Sequence, residues 1–289
     1  MKVTSKIVSL ILLIVFFVGL CVLLYPAFSQ YWNSKVQSRA VADYEKMLRE
    51  MSKEDYTAVF ETAYDYNDRL RELDHPMTDY NTIPGYTDAL NLNGSGMMGY
   101  ITIQKLSVEL PIYHNVSAEV LNIAAGHLPG TTLPVGGEST HAVLSAHRGL
   151  PNAKLFTDLD KMQIGDTFTI TILDRVLTYQ VDQITIVEPN DVSEIQIIPG
   201  EDLCTLLTCT PYGINTHRLL VRGRRIATVT QKTYYITSEA YLIDRLIVTP
   251  LVALPILFAL IVYVMLKPVK KPETLEDLLK AEERRTSKE

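Results

Sequence analysis

A thiol, an imidazole and a guanidinium suffice for acyl transfer through a covalent intermediate, and the sequence offers one of each at a strand edge. The segment Thr205-Leu206-Leu207-Thr208-Cys209-Thr210-Pro211-Tyr212-Gly213 puts Cys209 at the end of an apolar strand, with a turn directly after it. Rigid ends of this kind are where folds display reactive side chains. A thiol attacks a carbonyl as the thiolate. A neighbouring histidine provides for that by taking the proton or by pairing as imidazolium. His147 follows the strand-like Ala142-Val143-Leu144 and precedes the turn Arg148-Gly149-Leu150-Pro151, so it too sits at a strand end. Arg218 opens the run Leu219-Leu220-Val221. If the connection from Tyr212 to Asn215 turns the chain back, Arg218 lies beside Cys209, where its permanent charge would stabilise a thiolate and hold the developing oxyanion.

Each of these residues also has a bland reading. By composition alone, a cysteine in an apolar strand is more often a buried structural residue. Cys204, set between Leu203 and Leu206, fits that description better than Cys209 does. A lone strand-end histidine is commonly a polar loop residue, and Arg222, Arg224 and Arg225 read as surface arginines on a basic strand end. No acidic residue is clearly placed to orient His147, so no triad is expected.

The three cysteines are Cys21, Cys204 and Cys209. Cys21 lies inside an apolar run. An odd offset in an extended strand puts Cys204 and Cys209 on opposite faces, which argues against a local disulfide. Among the six histidines only His141 and His147 are close, six apart with no helical pattern joining them. No metal-ligand spacing and no glycine-rich phosphate loop is visible, so no metal and no cofactor is expected. The net charge of −6, without a basic stripe, argues against nucleic acid as a partner.

The elements that must hold these residues are mostly strands. Tyr100-Ile101-Thr102-Ile103, Phe168-Thr169-Ile170-Thr171-Ile172 and Leu177-Thr178-Tyr179-Gln180-Val181 alternate, and Ile184–Val187 and Leu219–Val221 add further runs. Turn signals separate them at Gly165-Asp166, Pro189-Asn190-Asp191, Pro199-Gly200 and Pro211-Tyr212-Gly213. Many short strands at this spacing predict a mainly β sandwich or barrel. Upstream, Val36, Ala40, Tyr44, Met47 and Met51 recur at three and four, predicting helix from about Ser34 to Leu73. From Asp74 to Gly99 the character is loop.

Both ends carry long apolar runs. Ile7–Tyr25 is a 19-residue stretch without a charge, close to the ~20 residues that cross a bilayer. It reads as an uncleaved anchor; a signal peptide cleaved near Ala27-Phe28-Ser29 is the alternative. Leu246–Leu266 is a second uncharged run, and its Pro250 and Pro255 are tolerable in a membrane helix. Lys2 and Lys6 before the first run, and Lys267, Lys270 and Lys271 after the second, put both termini in the cytoplasm by the positive-inside rule. The expected layout is a two-span cell-membrane protein with residues ~30–245 outside the cell.

At this point the residues resemble a known family. Thr205-Leu206-Leu207-Thr208-Cys209 resembles the sortase TLxTC signature. The continuation Thr210 to Gly223 is similar to that of class C, pilus-assembling sortases. So is Leu144-Ser145-Ala146-His147-Arg148-Gly149-Leu150-Pro151, where the family's catalytic histidine falls on His147. Gly126-His127-Leu128-Pro129-Gly130-Thr131 and Leu133-Pro134-Val135-Gly136-Gly137 match the same group, and the resemblance covers roughly Gly99 to Arg225. It implies a closed eight-stranded β-barrel with N-terminal helices, flanked by two transmembrane helices. The implied divisions are an anchor or signal (1–29), a helical and lid-like region (30–98), a catalytic barrel (99–232), a linker (233–245), a membrane helix (246–266) and a cytoplasmic tail (267–289).

The resemblance also implies a reaction. Cys209 would attack the Thr–Gly carbonyl of an LPxTG-like sorting signal and form a thioester, which a lysine amine of a neighbouring pilin resolves into an isopeptide bond. His147 would protonate the leaving amine and deprotonate the incoming one, and Arg218 would hold the oxyanion. Ser145, Thr208, Thr210 and Tyr212 are candidate substrate-binding residues. Class C sortases carry a lid with an Asp-Pro-aromatic plug. The corresponding stretch here is Leu73-Asp74-His75-Pro76-Met77-Thr78-Asp79-Tyr80, so Asp74, Pro76 and Met77 are the lid candidates. Asp74 is not followed directly by proline and Met77 stands where the aromatic would be, so a loop without a plug is expected. Two other readings remain: a sortase that joins proteins to a peptidoglycan amine of the cell wall, and a non-catalytic membrane adaptor, for which Cys209→Ala would leave function intact.

Overall fold

The computed structural model describes residues 2–228. The expected linker (233–245), second apolar run (246–266) and charged tail (267–289) lie outside the described residues.

The chain opens on one uninterrupted helix of 49 residues, α1 (Lys2–Glu50), with Pro26 inside it. The helix runs straight through the division expected at residue 29. Its N-terminal part is long and apolar enough to cross a membrane. Its C-terminal turns pack on the barrel, where Val41 and Tyr44 are buried with Met97. The Tyr44 hydroxyl donates to the Met98 carbonyl at 2.9 Å and accepts from the Leu173 N–H at 3.0 Å. The helical region expected from Ser34 to Leu73 is divided, because Ser52 and Asp55 form a capping box that starts a new helix, α2 (Lys53–Arg71). That helix buries Phe60, Ala63, Tyr66, Asn67 and Leu70 along one face. A single turn, α3 (Pro76–Asp79), follows, with proline in the first helical turn.

Among the described residues, eight strands form a closed barrel: β1 (Met97–Ile103), β2 (Val108–His114), β3 (Ala125–His127), β4 (Thr140–Ser145), β5 (Thr167–Ile172), β6 (Arg175–Val187), β7 (Asp202–Thr210) and β8 (His217–Ile226). They close in the order β1-β2-β3-β4-β7-β8-β6-β5. The runs at Leu177–Val181 and Ile184–Val187 belong to the single strand β6, in which a register shift between Val181 and Gln183 breaks the alternation. β2 was not legible, since Pro111 lies within it and demotes such a run in any sequence reading.

The topology matters for the site in one respect. β4 and β7 are parallel neighbours, and β8 runs antiparallel on the other side of β7. The C-terminal ends of β4 and β7 therefore meet the N-terminal end of β8 at one rim of the barrel. Ala142, Leu144, Cys204, Leu206 and Val221 from these three strands point into the main core. Val143 and Leu220 point the other way, into a smaller cluster on the outer face with Val187 and Ile195, and Leu207 packs against it.

Candidate active site

Cys209 sits on the middle strand of three. On one side it is the register partner of Arg218, just as Leu207 partners Leu220 and Thr205 partners Arg222. Antiparallel partners share a face, so Cys209 and Arg218 lie together on the outer face with Leu207 and Leu220. On the other side Ser145 is level with Leu207. His147 follows two residues past the end of β4, as Cys209 follows two residues after Leu207 on β7. The backbone is held in place to that point, since the Ala146 N–H donates to the Leu207 carbonyl at 3.1 Å and the Thr208 hydroxyl donates to the Ala146 carbonyl at 2.8 Å. Thiol and guanidinium thus stand on β7 and β8, and the imidazole follows two residues after β4 at the same rim, with the thiol half-buried.

The loop that carries His147 is pinned to the loop after Cys209. The Phe156 N–H donates to the His147 carbonyl at 3.1 Å. Arg148 has a nearly buried side chain that pairs with Asp160 at 2.6 Å. Its Nη1 donates to the Thr210 hydroxyl at 3.4 Å, and its guanidinium lies 5.9 Å from the Tyr212 ring centroid. A side chain at Gly149, whose φ is +79°, would meet the Tyr212 ring at 3.0 Å. Motif reading singled out neither Arg148 nor Asp160. The one signal in the sequence was the charge directly after His147.

The electrostatics separate the histidines by task. Burial alone lowers the pKa of His147, favouring the neutral imidazole that can accept a proton. His127 is fully enclosed, and burial holds it at about 4. Its Nε2–H donates to the Thr132 carbonyl at 2.8 Å while Nδ1 accepts from the Tyr86 hydroxyl at 3.0 Å. His141 is likewise lowered by burial, with Nδ1 donating to the Gln196 carbonyl and Nε2 accepting from Thr205. These two are structural. Arg218 Nη1 donates to the carbonyls of Asn215 and His217 at 3.2 and 3.1 Å, and among the described residues it has no carboxylate partner. Its remaining N–H groups are available at the rim.

Comparison with known proteins agrees with this constellation. A sortase-domain family profile matches residues 101–226. Sortase C1 from Streptococcus agalactiae, a solved structure, is 45% identical with a TM-score of 0.60, covering 65% of this chain and 98% of that one. The chain belongs to the sortase family. A crystal structure of Clostridium perfringens sortase C with a C-terminal cell wall sorting motif is 42% identical with a TM-score of 0.58, covering 66% of this chain and 99% of that one. Its structural neighbours are thus class C sortases. Among curated proteins, sortase A of Streptococcus agalactiae is 30% identical over 130 residues, 44% of this chain and 52% of that protein, so the chain spans about half the length of this relative.

The sortase barrel places the other sequence candidates unevenly. Tyr212 is exposed on the loop after β7. Ser145 is on the Cys209 face but buried, and Thr210 is buried with its hydroxyl turned to Arg148. Thr208 is sealed, at 1% exposure, with its hydroxyl committed to the Ala146 carbonyl. It braces the two strands. Its even offset from the inward-facing Leu206 had already turned it away from Cys209.

The stretch expected to be a loop without a plug carries a short helix and an apolar contact. Met77 packs against the outer-face cluster of Val143, Val187, Ile195 and Leu220, the same cluster that Leu207 lines. Pro76 starts the single-turn helix that aims Met77 there. The backbone comes so close to Gly130 that a Cβ on that glycine would lie 2.8 Å from the Met77 Cα and 2.9 Å from the Pro76 carbonyl. A flexible thioether fills an irregular apolar gap as well as an aromatic ring does. Asp74 stays exposed. Met77 thus covers part of this outer-face cluster, and the Cys209 thiol is half-buried.

Proposed function

We propose that this chain is a cysteine transpeptidase that cleaves an LPxTG-like sorting signal between Thr and Gly and joins the new carboxyl end to a lysine amine of a second pilin. The observation that carries this reading is the placement of His147, just past the end of β4, at the same rim as Cys209 on β7 and its register partner Arg218 on β8, in a chain 41–45% identical to several class C sortases.

The chemistry follows from the groups present. Neutral His147 takes the thiol proton, and the sulfur attacks the Thr carbonyl carbon. Negative charge gathers on the carbonyl oxygen, and the Arg218 guanidinium is positioned to receive it. As the tetrahedral centre collapses, His147 returns the proton to the leaving glycine nitrogen and a thioester remains on Cys209. A neutral lysine amine then attacks the thioester and loses a proton to His147, and the thiolate departs. Water in place of the amine gives hydrolysis. Met77 and its neighbours act as a lid on the apolar floor and must leave before a sorting signal can lie there. The apolar part of α1 anchors the enzyme, with the barrel outside the cell.

Incubation of the full-length enzyme with a pilin subunit tests this. A ladder of covalent polymers, with mass spectra showing a Thr–lysine isopeptide, is the expected result. A pilin joined only to a peptidoglycan amine would overturn pilin polymerisation in favour of wall attachment. Unchanged polymerisation by Cys209→Ala would sink covalent catalysis altogether.

A further inference from the structure

The rim around Cys209 is tied to α1 at the level where that helix leaves its apolar stretch. Going back along α1 from Tyr44, Gln37 Nε2 donates to the Ile123 carbonyl at 2.8 Å. Asn33 Nδ2 donates to the Asn152 carbonyl at 2.8 Å and Gln30 Nε2 to the Pro151 carbonyl at 3.2 Å. Pro151 and Asn152 belong to the loop that begins at His147. Ile123 precedes β3, whose Gly126 pairs with Ser145 at the same end of β4. The helix therefore heads toward its apolar part along the active-site end of the barrel.

Heights along a helix can be counted. Residues 7–25 rise by ~28 Å, close to the ~30 Å hydrocarbon core of a bilayer. From Tyr25 to Gln30 is a further ~7.5 Å, about the thickness of one headgroup layer. The turns from Tyr25 to Trp32 carry the exposed aromatics Tyr25, Phe28, Tyr31 and Trp32, of which Tyr and Trp are the residue types that mark a membrane–water interface. Pro151 is bonded at that height. On the same rim the loop from Pro211 to His217 is exposed, carries no acidic residue, and presents Tyr212 at 60% and Ile214 at 68% exposure. Single exposed apolar residues are ordinary on a soluble surface. Here they lie at the end of the barrel that α1 directs toward the bilayer.

We propose that the β7–β8 loop, through Tyr212 and Ile214, docks on the headgroup layer of the bilayer that holds α1, so that the helix works as a ruler fixing Cys209 at the membrane surface. The occupant of this surface is lipid. The proposal rests on α1 crossing the membrane. Its consequence is a preference for scissile bonds presented close to the bilayer.

Trp32 is the single tryptophan of the chain, which makes a quenching test direct. The full chain is placed in phosphatidylcholine–phosphatidylglycerol vesicles containing lipids with a nitroxide headgroup. Native Trp32 reports the anchor. In a Trp32→Phe background, Ile214→Trp reports the rim, and Glu138→Trp, next to the opposite end of β4, is the control. Quenching at 32 and 214 but not at 138 is expected. Quenching at 32 with 214 no higher than 138, or with 138 as strongly quenched as 214, overturns the docking while leaving the anchor intact. No quenching at 32 removes the anchor and the proposal with it.

Inserting seven helical residues after Phe28 raises the barrel by ~10 Å with little rotation. Turnover of a peptide on a short lipid tether should then fall about tenfold, as its effective concentration at the site drops, while turnover of the same peptide free in solution stays unchanged. Equal effects on both peptides, or on neither, overturn the ruler.

Discussion

Cys204 and Cys209 share one strand and five residues of sequence, yet the barrel treats them as different chemical groups. Cys204 points inward among Ala142, Leu144 and Leu206, fully buried. Burial, with the charge of Asp202 adding to it, pushes its thiol well above the usual range. Its register partner is Gly223, which brings no functional group. Cys209 points outward, half-buried, at the end of the strand, with Arg218 opposite on one side and His147 just past the end of β4 on the other. Residue type sets neither fate. Strand parity decides which face a thiol reaches, and the neighbouring strands decide which partners it meets. The histidines repeat the lesson: His127 is enclosed and fully bonded, whereas the His147 ring stands at the rim and has no hydrogen-bond partner among the described residues.

The contrast is breakable, and the largest effect comes from the thiols themselves. Cys209→Ala should lower transpeptidation by on the order of 10⁴-fold or more, since the covalent route is lost, whereas Cys204→Ala should keep the rate within a few-fold and show its cost in thermal stability. Comparable losses of rate in both variants would mean that the inner thiol takes part. Next comes the guanidinium. Arg218→Lys should reduce kcat/KM by roughly 10²-fold, the cost of a misplaced oxyanion donor. Arg222→Lys, on the same face but paired with Asp182 at 3.0 Å, should leave the rate alone.

The histidine pair predicts a pH dependence of stability. Unfolded His127 takes a proton near 6.5, and the folded ring only near 4. The folded state therefore has its full stability above about pH 6.5 and loses it as the pH falls toward 4. The loss from this one group is about 3 kcal/mol. Urea midpoints at pH 7 and pH 4.5 measure it, and His127→Gln should reduce the difference, with His141 and His147 still contributing; an unchanged difference would remove His127 as a source. The smallest effect tests the lid. Met77→Ala should raise the alkylation rate of Cys209 several-fold without exposing Cys204. No change would show that the Met77 contact leaves access to the thiol unaffected.

Much of this was legible before folding. Alternation, turn residues and the Thr-Leu-Leu-Thr-Cys run pointed to a β-domain with its nucleophile at a strand end, and the odd spacing of the two thiols already put them on opposite faces. What escaped the sequence did so for identifiable reasons. A bulge broke the period of β6, and Pro111 disguised β2. Helical spacing alone did not show that Ser52 would end one helix and cap another. The packing of Met77 on the outer-face cluster was not legible, because it depends on the close backbone approach to Gly130. Arg148 looked like any loop arginine until Asp160, Thr210 and Tyr212 closed around it.

The sequence by itself determined which side chains could react, since a thiol, an imidazole and a guanidinium at strand edges are a matter of residue type and local periodicity. Only the tertiary structure decided that they meet. His147 and Cys209 are 62 positions apart, and what joins them is the parallel pairing of β4 with β7. No local pattern encodes that pairing, because strand order is settled by how the whole barrel closes over its core.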